Sequence, residues 1–418
     1  MQVSLSTLTG ALNKVRKMAE GTKNVPGIML DISENKMKVC YSDGKKSVIE
    51  IIEIQQSDPV VAGRIIVPYA KTMDIIDACQ PSGSLMINEI TMNFSEGSTL
   101  TIIASKKIVI GDEEGTEEKV QSKLEQKINY NKPEDSVQYQ ILSRMEYDAI
   151  FQNEEFDTWE TKTLIETLSR TSKEKSKTIY ISSQLKAAFV SNTAHVTNIP
   201  ITSCEKYGMA VSTSLATPLI DILGKLASPR VAVSVKDNRY VSISSEDNTV
   251  GIWFEQAAAN KMELSLLKRF QEKTYDKYEL VFYREALQDT IDRALKSDSN
   301  EKTTLTFIKD ENDSLSARVQ FAGSGGSTAN DFTVVLTNYE DKEKNKEEDK
   351  QTKIKDILGA QIPVNLKVLS DMINNCKEFY VAFDISNEDG STLIRVGDLE
   401  MSAEKAFTAT HYTMLAKQ

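Results

Sequence analysis

Apolar residues near the amino terminus follow two different spacings. In LSTLTGALNKVRKMAE they recur three or four positions apart, at Leu5, Leu8, Leu12, Val15 and Ala19, which predicts a helix with one apolar face. The short strand MQVSLS overlaps the start of this segment, and the runs GIMLDIS, KMKVCYS and SVIEIIEI follow it, separated by turn residues. The pattern predicts a helix that covers the apolar face of an antiparallel sheet.

A second pattern, a β-branched run that changes into helix spacing, occurs at distant places in the chain. Residues 64–79 read RIIVPYAKTMDIIDAC, and residues 361–376 read QIPVNLKVLSDMINNC. Counted from the valine of each segment, an Asp, an Ile and a Cys fall at the same offsets. A related segment, GMAVSTSLATPLIDILGKL, lies between them with three extra residues before its IDIL. We interpret the three segments as parts of one repeated structural unit.

The elements around these segments recur in one order three times. Each unit reads as a strand, a helix and three strands, followed by a second such set, which is an α+β arrangement. The predicted units span 1–130, 136–262 and 270–418, and the middle one begins with the strand VQYQILS. Three stretches interrupt the pattern, a charged linker, an insertion in the middle unit and a charged insertion in the last unit, at 111–135, 151–159 and 339–356.

Composition narrows the class of protein. The chain has 418 residues, of which 40% are apolar and 27% charged, as expected for a globular protein with more than one domain. Its formal net charge of −11 argues against a protein that holds nucleic acid by being basic overall. Neither a long apolar span nor a secretory signal is evident, so we expect a cytoplasmic protein that does not enter a membrane.

Residues that could carry chemistry are scarce. The four cysteines lie far apart without a CxxC pair, and the two histidines do not occur in HExxH or in the context of a nucleophile. The glycine-rich AGSGGS lacks the Lys-Ser/Thr ending of a phosphate loop, and DISNEDG places its Gly one position late for a calcium loop. We therefore expect no enzyme activity, cofactor or metal.

The order of elements resembles that of the DNA polymerase sliding clamps, specifically the three-domain bacterial β-clamp type. The segments that carry the resemblance are IIVPYAKTMDII, MAVSTSLATPLIDIL and IPVNLKVLSDMI, together with FVSNTAHVTNIP, SNEKTTLTF and the ending HYTMLAKQ. The greater length and the charged insertions suggest a divergent, phage-encoded relative. The resemblance implies three clamp domains per chain, each with two helices on the inner face of antiparallel sheets.

The same resemblance implies a function and its partners. Two chains would close as a homodimer into a ring around duplex DNA and tether a DNA polymerase after placement by a clamp loader. Helix-borne cations would line the hole, although a single such cation is more often a solvated surface charge than a DNA contact: Lys14, Arg16, Lys17, Lys71, Arg170, Lys225, Arg293 and Lys367.

Two further sites follow from the resemblance. A pocket for partner peptides would be formed by Thr193, His195, Val196, Met414 and Leu415, although His195 can be an ordinary strand residue and Met414 a core residue. Candidates for the dimer interface, which can equally belong to the core of one domain, are Leu100, Ile102, Ala294 and Leu295.

Two other readings stay open at this point. A virion assembly protein can also be built from repeated α+β domains, but it has no reason to place cations on the helices of an acidic chain. A processivity factor that acts as a monomer without encircling DNA is the second alternative.

Overall fold

The computed structural model describes most of the chain in two compact units. The described residues are 1–23, 25, 27–56, 62–79, 89–95, 98–112, 115–131, 155–173, 178–191, 195–201, 205–258, 265, 268, 270, 280–297, 302–309, 315–322, 332–335, 361–388, 391–400 and 406–414. One unit comprises 1–169 and 203–257, and the other comprises 170–202 and 258–418. The division runs through the middle repeat.

The first repeat contains ten elements within the described residues. They are β1 (Gln2–Ser4), α1 (Leu5–Ala19), β2 (Ile28–Ile32), β3 (Lys36–Ser42), β4 (Lys46–Glu53), β5 (Gly63–Val67), α2 (Tyr69–Cys79), β6 (Glu89–Ser95), β7 (Thr99–Asp112) and β8 (Gly115–Asn129). The predicted face of α1 is confirmed, since Leu5, Leu8, Leu12, Val15 and Ala19 are all buried. The predicted turn between β3 and β4 is also confirmed, and it contains Gly44 at a φ of 85°.

The second and third repeats have the same ten elements in the same order. In the second they are β9 (Asp157–Glu160), α3 (Thr161–Thr171), β10 (Thr178–Ser182), β11 (Ala187–Ser191), β12 (His195–Pro200), β13 (Met209–Ser212), α4 (Thr213–Leu223), β14 (Arg230–Lys236), β15 (Tyr240–Ser245) and β16 (Val250–Glu255). In the third they are β17 (Leu280–Tyr283), α5 (Arg284–Ser297), β18 (Lys302–Lys309), β19 (Leu315–Ala322), β20 (Phe332–Val335), β21 (Gln361–Val364), α6 (Leu366–Asn374), β22 (Tyr380–Glu388), β23 (Ser391–Glu400) and β24 (Ala406–Met414). The threefold repetition and the α+β class are therefore confirmed.

Neighbouring repeats share sheets through one kind of strand pair. In the first unit, an eight-stranded sheet has the order β5-β2-β3-β4-β16-β15-β14-β9, so β4 of the first repeat pairs with β16 of the second. In the second unit, the order β10-β11-β12-β24-β23-β22-β17 joins β12 of the second repeat to β24 of the third. In both cases the fourth strand of one repeat pairs with the last strand of the next.

In each of two four-stranded sheets, the end strands pair with a described strand on one side only. Their orders are β1-β6-β7-β8 in the first repeat and β20-β19-β18-β21 in the third. The terminal strands β8 and β20 are the last strand of the first repeat and the fourth strand of the third repeat. They are the same two strand types that join the repeats internally.

Two predictions about the chain organisation were wrong. Most of the segment interpreted as a charged linker, 111–135, belongs to a long hairpin in which β8 pairs with β7 over nearly its whole length. Trp159, assigned to an insertion, lies in β9, the first strand of the middle repeat, and is buried. VQYQILS and the insertion at 339–356 lie outside the described residues. Among the helices that the structure describes, none has the length and apolar character needed to cross a membrane.

Candidate functional site

Helix α1 forms polar links to two neighbouring helices in the first unit. The Arg16 guanidinium lies 2.7 Å from the Asp77 carboxylate of α2, and the Lys17 ammonium lies 2.8 Å from the Asp221 carboxylate of α4. The hydrogen bond to Asp221 raises the pKa of Lys17, and the one to Asp77 raises the pKa of Arg16, so both side chains keep their charge. Helices of the first and second repeats therefore share a layer whose cations are partly neutralised.

Lys14 and Arg170 do not join a solvent-facing lining. The Lys14 ammonium donates to both oxygens of Glu50 on β4, each 2.8 Å away, and the whole residue is only 6% exposed. Arg170 forms an ion pair with Asp398 of β23, which is completely buried. We remove both from the candidate lining because a buried, paired cation is not available to a phosphate group.

The remaining cations lie at the surface. Arg293 is exposed and forms an ion pair with Asp289 one turn earlier on α5. Lys71 and Lys367 are exposed on α2 and α6, and Lys225 is exposed just after the end of α4 rather than within it. With Arg16 and Lys17, six of the eight candidates stay available, although three of the six are paired with carboxylates.

The pairing of β12 with β24 brings together two segments of the predicted peptide pocket. His195 lies opposite Thr413 and Val196 opposite Tyr412, while Met414 ends β24. Consecutive strand residues belong to opposite faces, so His195 and Val196 cannot both line a pocket on one face of the sheet. Thr193 and Leu415 lie outside the described residues. We call this pairing the β12–β24 seam.

Polar and aromatic contacts at the seam were not found by sequence reasoning. Asn198 Nδ2 donates to Thr410 Oγ1 at 3.2 Å, and Thr410 Oγ1 donates to the Tyr412 hydroxyl at 3.2 Å. The Tyr412 ring stacks on Phe270 with centroids 5.6 Å apart. The alternation in HYTML marked Tyr412 as a strand residue, but no local signal identified its partner more than 140 positions away.

The four interface candidates occupy the interior of their own domains. Leu100 and Ile102 are 1% and 2% exposed, and their strand β7 is flanked by β6 and β8, so it is not an edge. Ala294 is buried in the core of the third repeat, and Leu295 packs against that core. The alternative reading, that these residues stabilise single domains, fits the structure, and β8 and β20 rather than β7 lie at ends of their sheets.

Reactive groups are shielded in the part of the chain that the structure describes. Its three cysteines, Cys40, Cys79 and Cys376, are buried, and burial raises the pKa of the Cys376 thiol well above its ordinary value. Within the same residues, no cluster of three or more His, Cys, Asp or Glu side chains is placed to hold a metal ion. The polar groups that remain are suited to binding through charge and hydrogen bonds.

Comparison with known proteins gives matches by structure alone. No family model and no curated protein sequence matches the chain. The DNA polymerase sliding clamp of Pseudomonas aeruginosa superposes over 100% of this chain and 99% of its own, with a TM-score of 0.66 at 12% identity. This chain has the sliding-clamp fold.

Two other solved clamps give nearly the same result. The DNA polymerase III beta subunit of Thermotoga maritima has a TM-score of 0.64 at 14% identity and is covered over 99% of both chains. The DNA polymerase beta subunit of Streptococcus pyogenes has a TM-score of 0.65 at 13% identity, over 100% of this chain and 99% of that one. The likeness to the sliding-clamp fold covers at least 99% of this chain and 99% of each of these structures.

Proposed function

We propose that this protein is a sliding clamp, a processivity factor that encircles duplex DNA and tethers a DNA polymerase. The observation that carries the proposal is the strand pair used between repeats. The fourth strand of one repeat pairs with the last strand of the next at both internal junctions, and one strand of each type, β20 and β8, stays at the end of its sheet. A second copy supplies the missing partner for each.

Closure follows from the energetics of sheet edges. An open edge exposes unpaired N–H and C=O groups and invites association, and a head-to-tail contact that closes on itself pairs β8 and β20 without forming a filament. We infer that β20 of one copy pairs with β8 of the other, twice in a homodimer. The structural likeness to clamps along the entire chain supports two copies of three repeats.

A ring holds DNA by topology, so it needs little electrostatic attraction. Neutralising many phosphates makes binding strongly dependent on salt and opposes sliding. The helix layer fits this requirement, because several of its exposed cations are balanced by neighbouring carboxylates and the chain as a whole is acidic. The protein would act as a tether rather than a catalyst, in the cytoplasm where the DNA is replicated.

The β12–β24 seam is the proposed site for partner peptides, including those of the polymerase and of a clamp loader. Met414 ends β24 there, and methionine is a residue type that adapts well to varied ligands, whereas Val196 and Tyr412 are themselves buried. Deleting the last five residues, which start at Met414, should abolish polymerase binding while the dimer stays intact. Normal polymerase binding by that truncated protein would show that the seam is not the site.

Retention on DNA of different topology tests the main proposal. The protein is placed on nicked circular plasmid with a clamp loader, unbound protein is removed, and half of the sample is linearised. We expect retention on the circle and loss from the linear form, together with a solution mass of twice that of the chain. Equal retention on both forms, or a monomeric mass at all concentrations, would overturn the proposal.

A further inference from the structure

The first helices of the three repeats carry a cation at one equivalent position. Lys14, Arg170 and Arg293 are each the tenth residue of their helix, in α1, α3 and α5. Lys14 is buried and Arg170 is largely buried, and each is paired with a strand carboxylate, whereas Arg293 is exposed. The tenth residue of the first helix is thus a cation in every repeat, but its carboxylate partner and its exposure differ.

The partners of Lys14 and Arg170 differ in the repeat to which they belong. Glu50, the partner of Lys14, lies on β4 in the same first repeat. Asp398, the partner of Arg170, lies on β23 of the third repeat, so this ion pair joins the second repeat to the third. Of these two ion pairs, only the one between Arg170 and Asp398 can hold two repeats together.

Asp398 is also bonded to the segment that connects α6 with β22. Its Oδ2 accepts from the Lys377 N–H at 2.9 Å, and its Oδ1 accepts from the Glu378 N–H at 2.8 Å. Both carboxylate oxygens are thus occupied, and the side chain has no exposure to water. A buried carboxylate held in this way fixes its surroundings, because moving it would leave a charge without partners.

The ion pair lies beside the β12–β24 seam. Asp398 is opposite Ala409 on β24, and the next residue of that strand, Thr410, is opposite Asn198 on β12. The same two repeats are therefore joined by a strand ladder and, one strand away, by a buried charge pair. A shift at Asp398 would displace β23 and, with it, the edge that β24 offers to β12.

We propose that Arg170 is a positioning residue: its ion pair with Asp398 latches the third repeat to the second and thereby holds β24 in its pairing with β12. The use of these paired strands for partner binding rests on the proposed function. The latch itself does not depend on DNA or on a polymerase, so it can be tested on the isolated protein.

Cys376 reports the state of the latch, because it is buried and directly precedes the segment that Asp398 holds. We would compare thiol labelling by an aromatic disulfide in Arg170→Met, in Arg170→Lys and in the matched control Lys14→Met, each combined with Cys204→Ser, and assign the label to single cysteines by mass spectrometry of peptides. Opening of the latch should raise the labelling rate of Cys376 by about tenfold or more in Arg170→Met. Arg170→Lys should restore protection, since a lysine serves at the equivalent position in α1.

The control and a second measurement separate local from general effects. Cys40 and Cys79 of the first repeat should stay protected in Arg170→Met, and Cys376 should stay protected in Lys14→Met. Amide hydrogen exchange should accelerate in β12 and β24 of Arg170→Met. Unchanged Cys376 labelling, or an equal rise at all three thiols, would overturn the proposal. A failure to encircle DNA would leave these results in force and would remove only their link to partner binding.

Discussion

A pair of cysteines placed across the proposed closing contact would test the ring at single-residue resolution. The change is Leu124→Cys on β8 together with Phe332→Cys on β20. Oxidation should join two copies covalently, because these positions are expected to lie opposite each other when β20 of one copy pairs with β8 of the other.

The internal junctions determine the expected register. At the first junction, Glu50 of β4 lies opposite Val250 of β16. Counting through the antiparallel pairs from Ile65, two residues before the end of β5, leads across β2 and β3 to Glu50. The same count from Ile362, two residues before the end of β21, leads across β18 and β19 to Phe332. Phe332 is therefore the counterpart of Glu50.

The other edge is placed in the same way. Counting through the antiparallel pairs from Val3, two residues before α1, leads across β6 and β7 to Leu124 of β8. The same count from Trp159, two residues before α3, leads across β14 and β15 to Val250 of β16. Leu124 is therefore the counterpart of Val250, and it should face Phe332 of a second copy.

Strand geometry sets how selective the reaction is. Opposite residues in an antiparallel pair have Cβ atoms about 5 Å apart, and small adjustments bring them to the roughly 4 Å that a disulfide requires. A control with Val334→Cys in place of Phe332→Cys keeps the same face but moves the thiol by two residues, about 7 Å along the strand. The two Cβ atoms are then about 8 Å apart, beyond the reach of a disulfide.

Non-reducing gel electrophoresis after mild oxidation is the assay. The matched pair should give a band at twice the chain mass and should trap the protein on circular plasmid in denaturant. Each single variant and the Val334→Cys pair should run as monomers. Comparable dimer formation by the shifted pair, or its absence from the matched pair, would refute the register and the reasoning from repeat equivalence.

Three further outcomes follow from the structure. The combined variant Lys71→Glu, Lys225→Glu and Lys367→Glu reverses three exposed positive charges. It should reduce loading on DNA and stimulation of a polymerase, most strongly at low salt. Its melting temperature, measured by thermal unfolding, should be unchanged. Ile291→Ala, in the core of the third repeat, should lower the free energy of unfolding by about 2–5 kcal/mol in urea titrations, whereas Glu285→Ala on the exposed face of the same helix should change it by about 0.5 kcal/mol or less. Burial raises the pKa of the Glu50 carboxyl although Lys14 opposes the shift, so the folded state binds this proton more tightly than the unfolded state. The contribution of Glu50 to stability should therefore fall as the pH rises from the ordinary glutamate range through the raised pKa, and unfolding of Glu50→Gln at several pH values should lack this fall.

The edge strand β8 shows why the spacing of apolar residues does not always predict a strand. The sequence of β8, GTEEKVQSKLEQKIN, is dominated by charged and amide residues, as is common for strands at a sheet edge, where charge discourages unwanted pairing. Its apolar residues Val120, Leu124 and Ile128 are four apart, a spacing that fits a helix as well as a strand. The segment was consequently predicted to be a linker, although its partner β7 was predicted to be a strand.

The amino-acid sequence by itself determined the threefold repeat, the α+β class and the buried faces of the helices. These depend on spacing along the chain, and spacing alone decides which residues share a face. The predicted face of α1 and the repeated segments at 64–79 and 361–376 are examples.

Only the tertiary structure decided what each face meets. Lys14 and Lys17 lie on one helix within a single turn, yet Lys14 is buried against Glu50 and Lys17 is at the surface beside Asp221. Nothing near Arg170 in the chain indicates Asp398, which follows 228 positions later. Pairings of this kind arise when separate elements fold onto one another, because the solvation and charge of a side chain depend on neighbours that the local sequence does not contain.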